Sequence, residues 1–345
     1  MGVFSKYATL LAHLFCAAIP SFAYVEEFKD ANDILFEYKL ADFSKRDYAE
    51  AVNAVFSEFE KSALCQIKPK TKGKVGLKIY TNSGAGLATP QNLVIAVIEE
   101  LKKRGFKSED ICIVDMSKRK MRESGFLPKY SEIKLGSKDN FMGSPVRDIE
   151  SGEFLNKNWF YDNPLMPRDL QAGVFRDEKF NKEARKSYLP IPLFLTVDFW
   201  INLPVITDMQ GIGVCAALGN ITIWNMSNNE RFFSSPANAP IALAEVAAIP
   251  ELKDTMLFTI LSYEKVQFVG GSVFNAAFTS SEKLLYASAN PVILDFFALD
   301  YINCKRVEKG FKPIPVPPIF EYARQMQLGS PKPSDIKFKS VKNAN

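Results

Sequence analysis

Apolar residues recur along this chain with two different periods, and the two alternate. Over residues 46–63, Tyr48, Ala51, Val52, Val55 and Phe56 repeat every three to four positions, the spacing that lays one face of a helix on a core. Residues 74–80 (KVGLKIY) form a short apolar run instead and read as a strand. A Gly/Ser/Asn loop follows, and Thr89-Pro90 then opens a helix that runs to about Arg104. Thr is a good N-cap, and Pro is favoured at the first helical position because its missing N–H would be unpaired there anyway. Gly105 ends that helix, and residues 110–115 (DICIVD) make the next strand. Strand, loop, helix and strand in this order predict a right-handed βαβ unit.

The periodicity weakens from 136 to 190, where Asn, Asp, Gly and Pro are frequent and only one short helix, 177–186, is expected. Strands are expected at 195–204, 256–262 and 283–287, and a helix with an Asn cap at 238–249. In the helix at 291–309, Val292, Leu294, Phe296, Phe297, Leu299 and Ile302 are too many for one face, so it should be largely buried. The Pro-rich stretch 313–318 is a rigid extended connector, 320–328 forms a final helix, and the chain turns polar from Gly329. No internal repeat is present. The whole pattern predicts an α/β fold: sheet layers containing βαβ units, helices on both faces, and two lobes around a cleft. The expected organisation is an N-terminal lobe at 24–135, a loop-rich connection at 136–190, a C-terminal lobe at 191–330 and a disordered tail at 331–345. With 345 residues, 47% of them apolar, the chain can bury one large core or two modest ones.

Residues 1–23 change the functional picture. They carry Lys6, an apolar run from Ala8 to Ile19, and Ser21-Phe22-Ala23 as a small-x-small cleavage pattern. This reads as an export signal that places the mature protein in the periplasm or outside the cell. An uncleaved membrane anchor is the alternative, although a comfortable crossing needs about 20 apolar residues. No other stretch reaches that length, so the mature chain is expected to have no membrane span. The single histidine, His13, lies inside this leader. A mature chain without imidazole excludes Ser-His-Asp and Cys-His nucleophile systems, His-ligated zinc and His acid/base chemistry.

Charge and cysteine content narrow the field further. The chain has 43 basic and 39 acidic residues, a net charge of +4, and loss of Lys6 with the leader would leave +3. The charges are interspersed, and short runs such as 68–72 and 118–120 read as solvated faces, so nucleic acid is not expected as a partner. Cys65, Cys112, Cys215 and Cys304 follow the leader, an even number that an oxidising compartment can pair in three ways. Cys112 sits in an apolar run and Cys215 among small apolar residues, so both read as buried free thiols. There is no C-x-x-C pair, and hence no zinc-ribbon, thioredoxin-like or iron–sulfur signal.

Two constellations carry candidate chemistry. The loop after Lys78 contains Asn82, Ser83, Gly84 and Gly86 and enters a helix N-terminus, where free amides and the helix dipole favour a small anionic ligand. Its glycines do not complete a dinucleotide fingerprint, and no Gly-Lys-Ser/Thr follows, so a simple flexible turn is the competing reading. The second set is acidic: Asp115 and Asp208 near strand ends, with Asp295 and Asp300 in a helix. Ligands gather at the carboxyl ends of strands in open α/β sheets, and Asp115 with Asp208 can ligate a hard cation such as magnesium or calcium. Taken singly, each acid is more often a cap or a solvated end.

Several stretches together resemble the Domain of Unknown Function 362 family, particularly its exported bacterial members. Val75-Gly-Leu-Lys-Ile79 is similar to the family's V-G-I-K-V, Met121-Arg-Glu-Ser-Gly-Phe126 to L-R-x-A-G-F, and Ile201-Asn-Leu-Pro-Val205 to I-N-V-P-V. Gly213-Val214, Ala217-Leu218 and Asn220 fit G-V-T-x-A-L-K-N, and Asn290-Pro-Val-Ile-Leu-Asp295 with Lys305-Arg306 and Gly310 fits D-P-V-A-L-D and K-R-x-x-x-G. The likeness spans about residues 70–311. It implies a ligand site involving Lys78, Asp115, Asp208, Asn220, Asp295 and Arg306, for a cofactor that the residues do not name. The departures matter as much: Thr207 and Met209 stand where the family has Lys-x-His, Gly219 where it has Lys before Asn, and Asn290 where it has Asp. These losses imply a degenerate member whose ligand is held poorly or not at all. A cofactor- or metal-dependent enzyme using Lys78 and carboxylates in an inter-lobe cleft is the alternative, since burial can lower a lysine's pKa enough for base catalysis. The strand–loop–Thr-Pro-helix–strand segment also resembles, more faintly, the N-terminal domain of nickel-dependent lactate racemases. Their activity does not carry over, because it relies on histidines.

Overall fold

A computed structural model of the chain describes residues 24–133, 136, 138–162, 186–234 and 238–342. The leader at 1–23 and, apart from Lys186, the short helix expected at 177–186 lie outside the described residues. In chain order the strands are β1 (Ile34–Lys39), β2 (Val75–Lys78), β3 (Ile111–Asp115), β4 (Asn140–Phe141), β5 (Ser144–Asp148), β6 (Phe160–Tyr161), β7 (Ser187–Tyr188) and β8 (Phe199–Asn202). They continue with β9 (Ile206–Met209), β10 (Gly213–Cys215), β11 (Met256–Ser262), β12 (Val266–Gln267), β13 (Thr279–Ser280), β14 (Leu284–Ser288) and β15 (Lys337–Val341).

Nine of them form one sheet in the order β15-β1-β14-β11-β8-β2-β3-β5-β4, in which only β14 and β4 run against the rest. The fold is therefore α/β, with a large mixed sheet. Strands from 24–135 and from 191–341 interleave in it: β1 lies between β14 and β15, and β8 lies beside β2. The segments expected as separate lobes thus share a single sheet. A second, four-stranded sheet, β10-β9-β12-β13, and the ribbon β6-β7 complete the strand inventory of the described residues.

The helices used below are α1 (Lys45–Ala63), α2 (Gln91–Lys103), α3 (Ala217–Ile221), α4 (Asn238–Ala247), α5 (Pro291–Glu308) and α6 (Ile319–Gln325). Strand alternation sends Leu77, Ile113, Phe199 and Ile201 into one apolar cluster with the buried faces of α1 and α2. It sends Val114 and Trp200 into a second cluster with α3, α4, α5 and α6. Helices therefore cover both faces, as the pattern predicts. Lys78 and Asn202 follow Leu77 and Ile201, so alternation turns them toward the second cluster.

Two local expectations are corrected. Gln91, not Pro90, is the first residue of α2, and Thr89 does not cap the helix. Its hydroxyl donates to the Leu203 carbonyl at 2.6 Å and accepts from the Tyr80 amide at 2.8 Å, so a neighbouring strand exit has taken the group that capping would need. The tail after 331 was expected to be disordered, yet Lys337–Val341 pairs in parallel with β1 as an edge strand. An edge strand needs only backbone partners on one side; the exposed Lys337 and half-buried Lys339 keep the polar pattern while Val341 is buried.

Candidate functional site

The parallel strands β2, β3 and β8 end at the same edge of the sheet in Lys78, Asp115 and Asn202. The chain runs from β2 to β3 on one side and later returns to β8 on the other, which makes the β2/β8 junction the topological switch point where open α/β sheets leave a ligand crevice. Here that crevice is filled. Lys78, fully buried, donates from Nζ to Asp115 Oδ1 at 2.8 Å, to the Ile79 carbonyl at 2.7 Å and to Asn220 Oδ1 at 3.2 Å. Asn220, on α3, returns its amide to the Lys78 carbonyl at 3.3 Å and to Asn202 Oδ1 at 2.8 Å. Asn202 in turn donates to the Ala217 carbonyl and to Thr259 Oγ1. Asp115 Oδ2 accepts from both the amide and the hydroxyl of Thr81 at 2.6 Å.

Burial pulls the Lys78 ammonium below the usual lysine range, and the adjacent Asp115 carboxylate opposes that pull. Asp295, on α5, is also buried and accepts from the amides of Ala217 at 2.6 Å and Leu218 at 3.3 Å, anchoring the start of α3. Burial pushes its carboxyl up to about 8, against the two amide bonds. Cys215 lies between these groups: burial pushes its thiol up to about 12, and Trp224 Nε1–H donates to Sγ at 3.1 Å. It is a packed thiol rather than a nucleophile. A Cβ on Gly219 would collide with Cys215 Sγ, so the residue aligned with the resembled family's Lys leaves no room here for any side chain.

The glycine loop is closed on itself. Gly84, Leu87 and Thr89 donate their amides to the carbonyls of Thr81, Gly84 and Tyr80. Ser83 and Asn82 bond the Tyr80 phenol, and the Phe274 ring fills the space where a Cβ on Gly86 would stand. These contacts engage the Gly84 amide and the Asn82 and Ser83 side chains within the loop.

Asp208 and Arg306 meet elsewhere. Asp208 lies on β9 of the small sheet, accepts from the Gly271 amide at 2.9 Å and stands 3.5 Å from Arg306 Nη1. Burial raises its carboxyl pKa, while the Gly271 amide and Arg306 lower it. Asp115 and Asp208, named together as cation ligands, share no partner, and the described residues contain no group of three or more His, Cys, Asp or Glu that could hold a metal. Thr207 donates to the Gly271 carbonyl, and Met209 lines cavities of about 390 and 530 Å³ on either side of the β9–β10 turn. Other cavities lie beside Asn290 and Thr259 (about 370 Å³) and beside Pro90 and Gln91 (about 450 Å³). Lys78, Asp115 and Asn220 line none of these four.

Sequence reasoning thus found Lys78, Asp115, Asn220 and Asp295, which the fold brings together, but missed Thr81, Asn202 and Thr259, which complete the network. A polar residue inside an apolar strand run, as at Asn202, was the available signal. Asn290, read as a lost carboxylate, is the N-cap of α5 and accepts from the amides of Val292 and Ile293. Asn performs that role as well as Asp. Cys65, Cys112, Cys215 and Cys304 are all unpaired, and no helix among the described residues is long and apolar enough to cross a membrane. Comparison with known protein families, curated proteins and solved structures gives no match.

Proposed function

We propose that the chain is an exported α/β protein without turnover at its ancestral site, a degenerate relative of the Domain of Unknown Function 362 family whose ligand site is closed. The observation that carries this reading is the saturation of Lys78. An ammonium has three protons, and Ile79 O, Asp115 Oδ1 and Asn220 Oδ1 take all three inside a site with no exposure to solvent. A base or anion-binding lysine needs a free face toward substrate, and here α3 supplies Asn220 in the place where a ligand's oxygen would stand. Opening the site would leave Asp115 buried without its cation, a change that typically costs several kcal/mol.

Native mass spectrometry and elemental analysis of the purified mature protein test the reading. The expected result is a protein without stoichiometric metal or small molecule, and no thermal shift with millimolar inorganic phosphate. A stoichiometric ligand that disappears in Lys78→Met would refute it. The export component is checked separately: N-terminal sequencing should begin at Tyr24, and a cytoplasmic protein starting at Met1 would overturn it.

A further inference from the structure

The connector between α5 and α6 has a geometry that the proposed function does not use. In 312–318 (KPIPVPP), prolines occupy 313, 315, 317 and 318, and every residue from Lys312 to Pro317 except Pro313 and Pro315 precedes a proline. Proline holds its own φ near −65°, and the residue before it is pushed to extended ψ, so residues 312–317 are driven toward a polyproline II helix with about three residues per turn, and Pro318 (φ −58°, ψ −20°) turns the chain into α6. Burial follows that period. Phe311, Ile314 and Pro317 turn inward, whereas Lys312, Pro315 and Pro318 are exposed on one ridge and Pro313 and Val316 on the next. Val316 is 74% exposed.

The strap is clamped from beneath. Asn303 on α5 accepts from the Ile314 amide at 2.7 Å and donates to the Ile314 carbonyl at 3.0 Å, and Arg306 Nε donates to the Lys312 carbonyl at 2.8 Å. Pro317 packs against Gly213, where φ is +82° and a Cβ would strike the proline ring. Among the described residues Lys312 has no carboxylate partner.

We infer that the outer ridge of this strap, Lys312, Pro315 and Pro318, is a docking element for a protein module with a shallow aromatic-lined groove and an acidic rim. Pro315 on the extended strap and Pro318 at its junction with α6 stand three residues apart, the spacing that fits paired aromatic slots, and Lys312 three positions earlier offers a charge to an acidic rim. The clamp removes most of the ordering cost that a free proline-rich peptide would carry on binding. The inference goes beyond the reading above and does not depend on Lys78.

The test titrates the full chain with three purified probes, an SH3, a WW and an EVH1 domain, by isothermal calorimetry. At least one should bind, with affinity falling roughly tenfold in Pro315→Ala/Pro318→Ala and severalfold in Lys312→Glu. The melt of Lys312→Glu should match the parent, because that side chain faces solvent, and the double proline variant should stay folded but melt slightly lower, since each lost proline leaves the unfolded chain freer. Absence of binding by all three probes, or binding unchanged in the double variant, would overturn the inference. So would a dimer of the parent chain that Val316→Glu dissociates, since the ridge would then be covered by a second copy.

Discussion

Replacing Asp295 with Asn should flatten the pH dependence of stability on the acid side. Asp295 is buried, and its carboxyl titrates near 8 in the folded protein, against about 4 in an unfolded chain. Between those values the folded state holds a proton that the unfolded state has released. Stability from this group is therefore fully present below about pH 4, declines as pH rises, and levels off above about 8. The limiting slope is about 1.4 kcal/mol per pH unit, so the parent should lose about 3 kcal/mol of this contribution between pH 5 and 7. Asn keeps an oxygen for the amides of Ala217 and Leu218 but does not ionise in this range. Any offset it introduces is constant with pH, whereas the slope isolates the proton. Urea unfolding of parent and variant at pH 5, 6, 7 and 8 reads the difference directly. The gap between them should move by about 3 kcal/mol in the variant's favour from pH 5 to 7. Parallel curves would mean that Asp295 titrates alike in both states, and the account of its burial would fail.

Other perturbations follow from the same network. Lys78→Met leaves Asp115 buried with only Thr81 as donor and should cost about 3–5 kcal/mol in urea unfolding. Adding Asp115→Asn should recover at least about 1 kcal/mol by removing the orphaned charge, whereas additive losses would argue against a coupled pair. Gly219→Ala should destabilise by about 1–3 kcal/mol, because Trp224 pins the Cys215 sulfur that the new methyl would meet. Cys215→Ala in the same chain should relieve much of that loss in a thermal melt, and no relief would place the clash elsewhere. Asn290→Ala should cost about 1 kcal/mol through loss of the α5 cap, with Asn290→Asp close to neutral. Equal losses in both would show that the amide nitrogen, not the capping oxygen, matters.

Periodicity determined the longer helices and, of the fifteen strands among the described residues, five: β2, β3, β8, β11 and β14. The three-to-four spacing over 46–63, the Pro start at 291 and the short apolar runs at 74–80 and 110–115 each depend on contacts that a residue makes with its own neighbours in sequence. The α/β class and the helices on both faces followed from these. Thr89-Pro90 shows where such reasoning stops: it has the same cap-then-proline pattern as Asn290-Pro291, yet the Thr89 hydroxyl is claimed by Leu203, more than a hundred residues away. Only the assembled sheet could decide that.

The candidate site divides in the same way. Asp115 and Asp295 could be named from an expected strand end and a helix, Lys78 from the strand that precedes the glycine loop, and Asn220 only through the family resemblance, but their meeting depended on β2, β3 and β8 lying side by side. Asp208 and Arg306 carried equal weight in the sequence and fell together on the small sheet instead. The polar tail became an edge strand because β1 offered an unpaired backbone, a fact absent from the tail's own composition. Local patterning thus determined the long helices and five strands of the main sheet, while β1, β15 and the small sheet β10-β9-β12-β13 emerged only in the fold. Strand order, pairing and the engagement of every buried polar group were decided by tertiary structure, because a hydrogen bond depends on what stands opposite, and the chain's own order does not specify that.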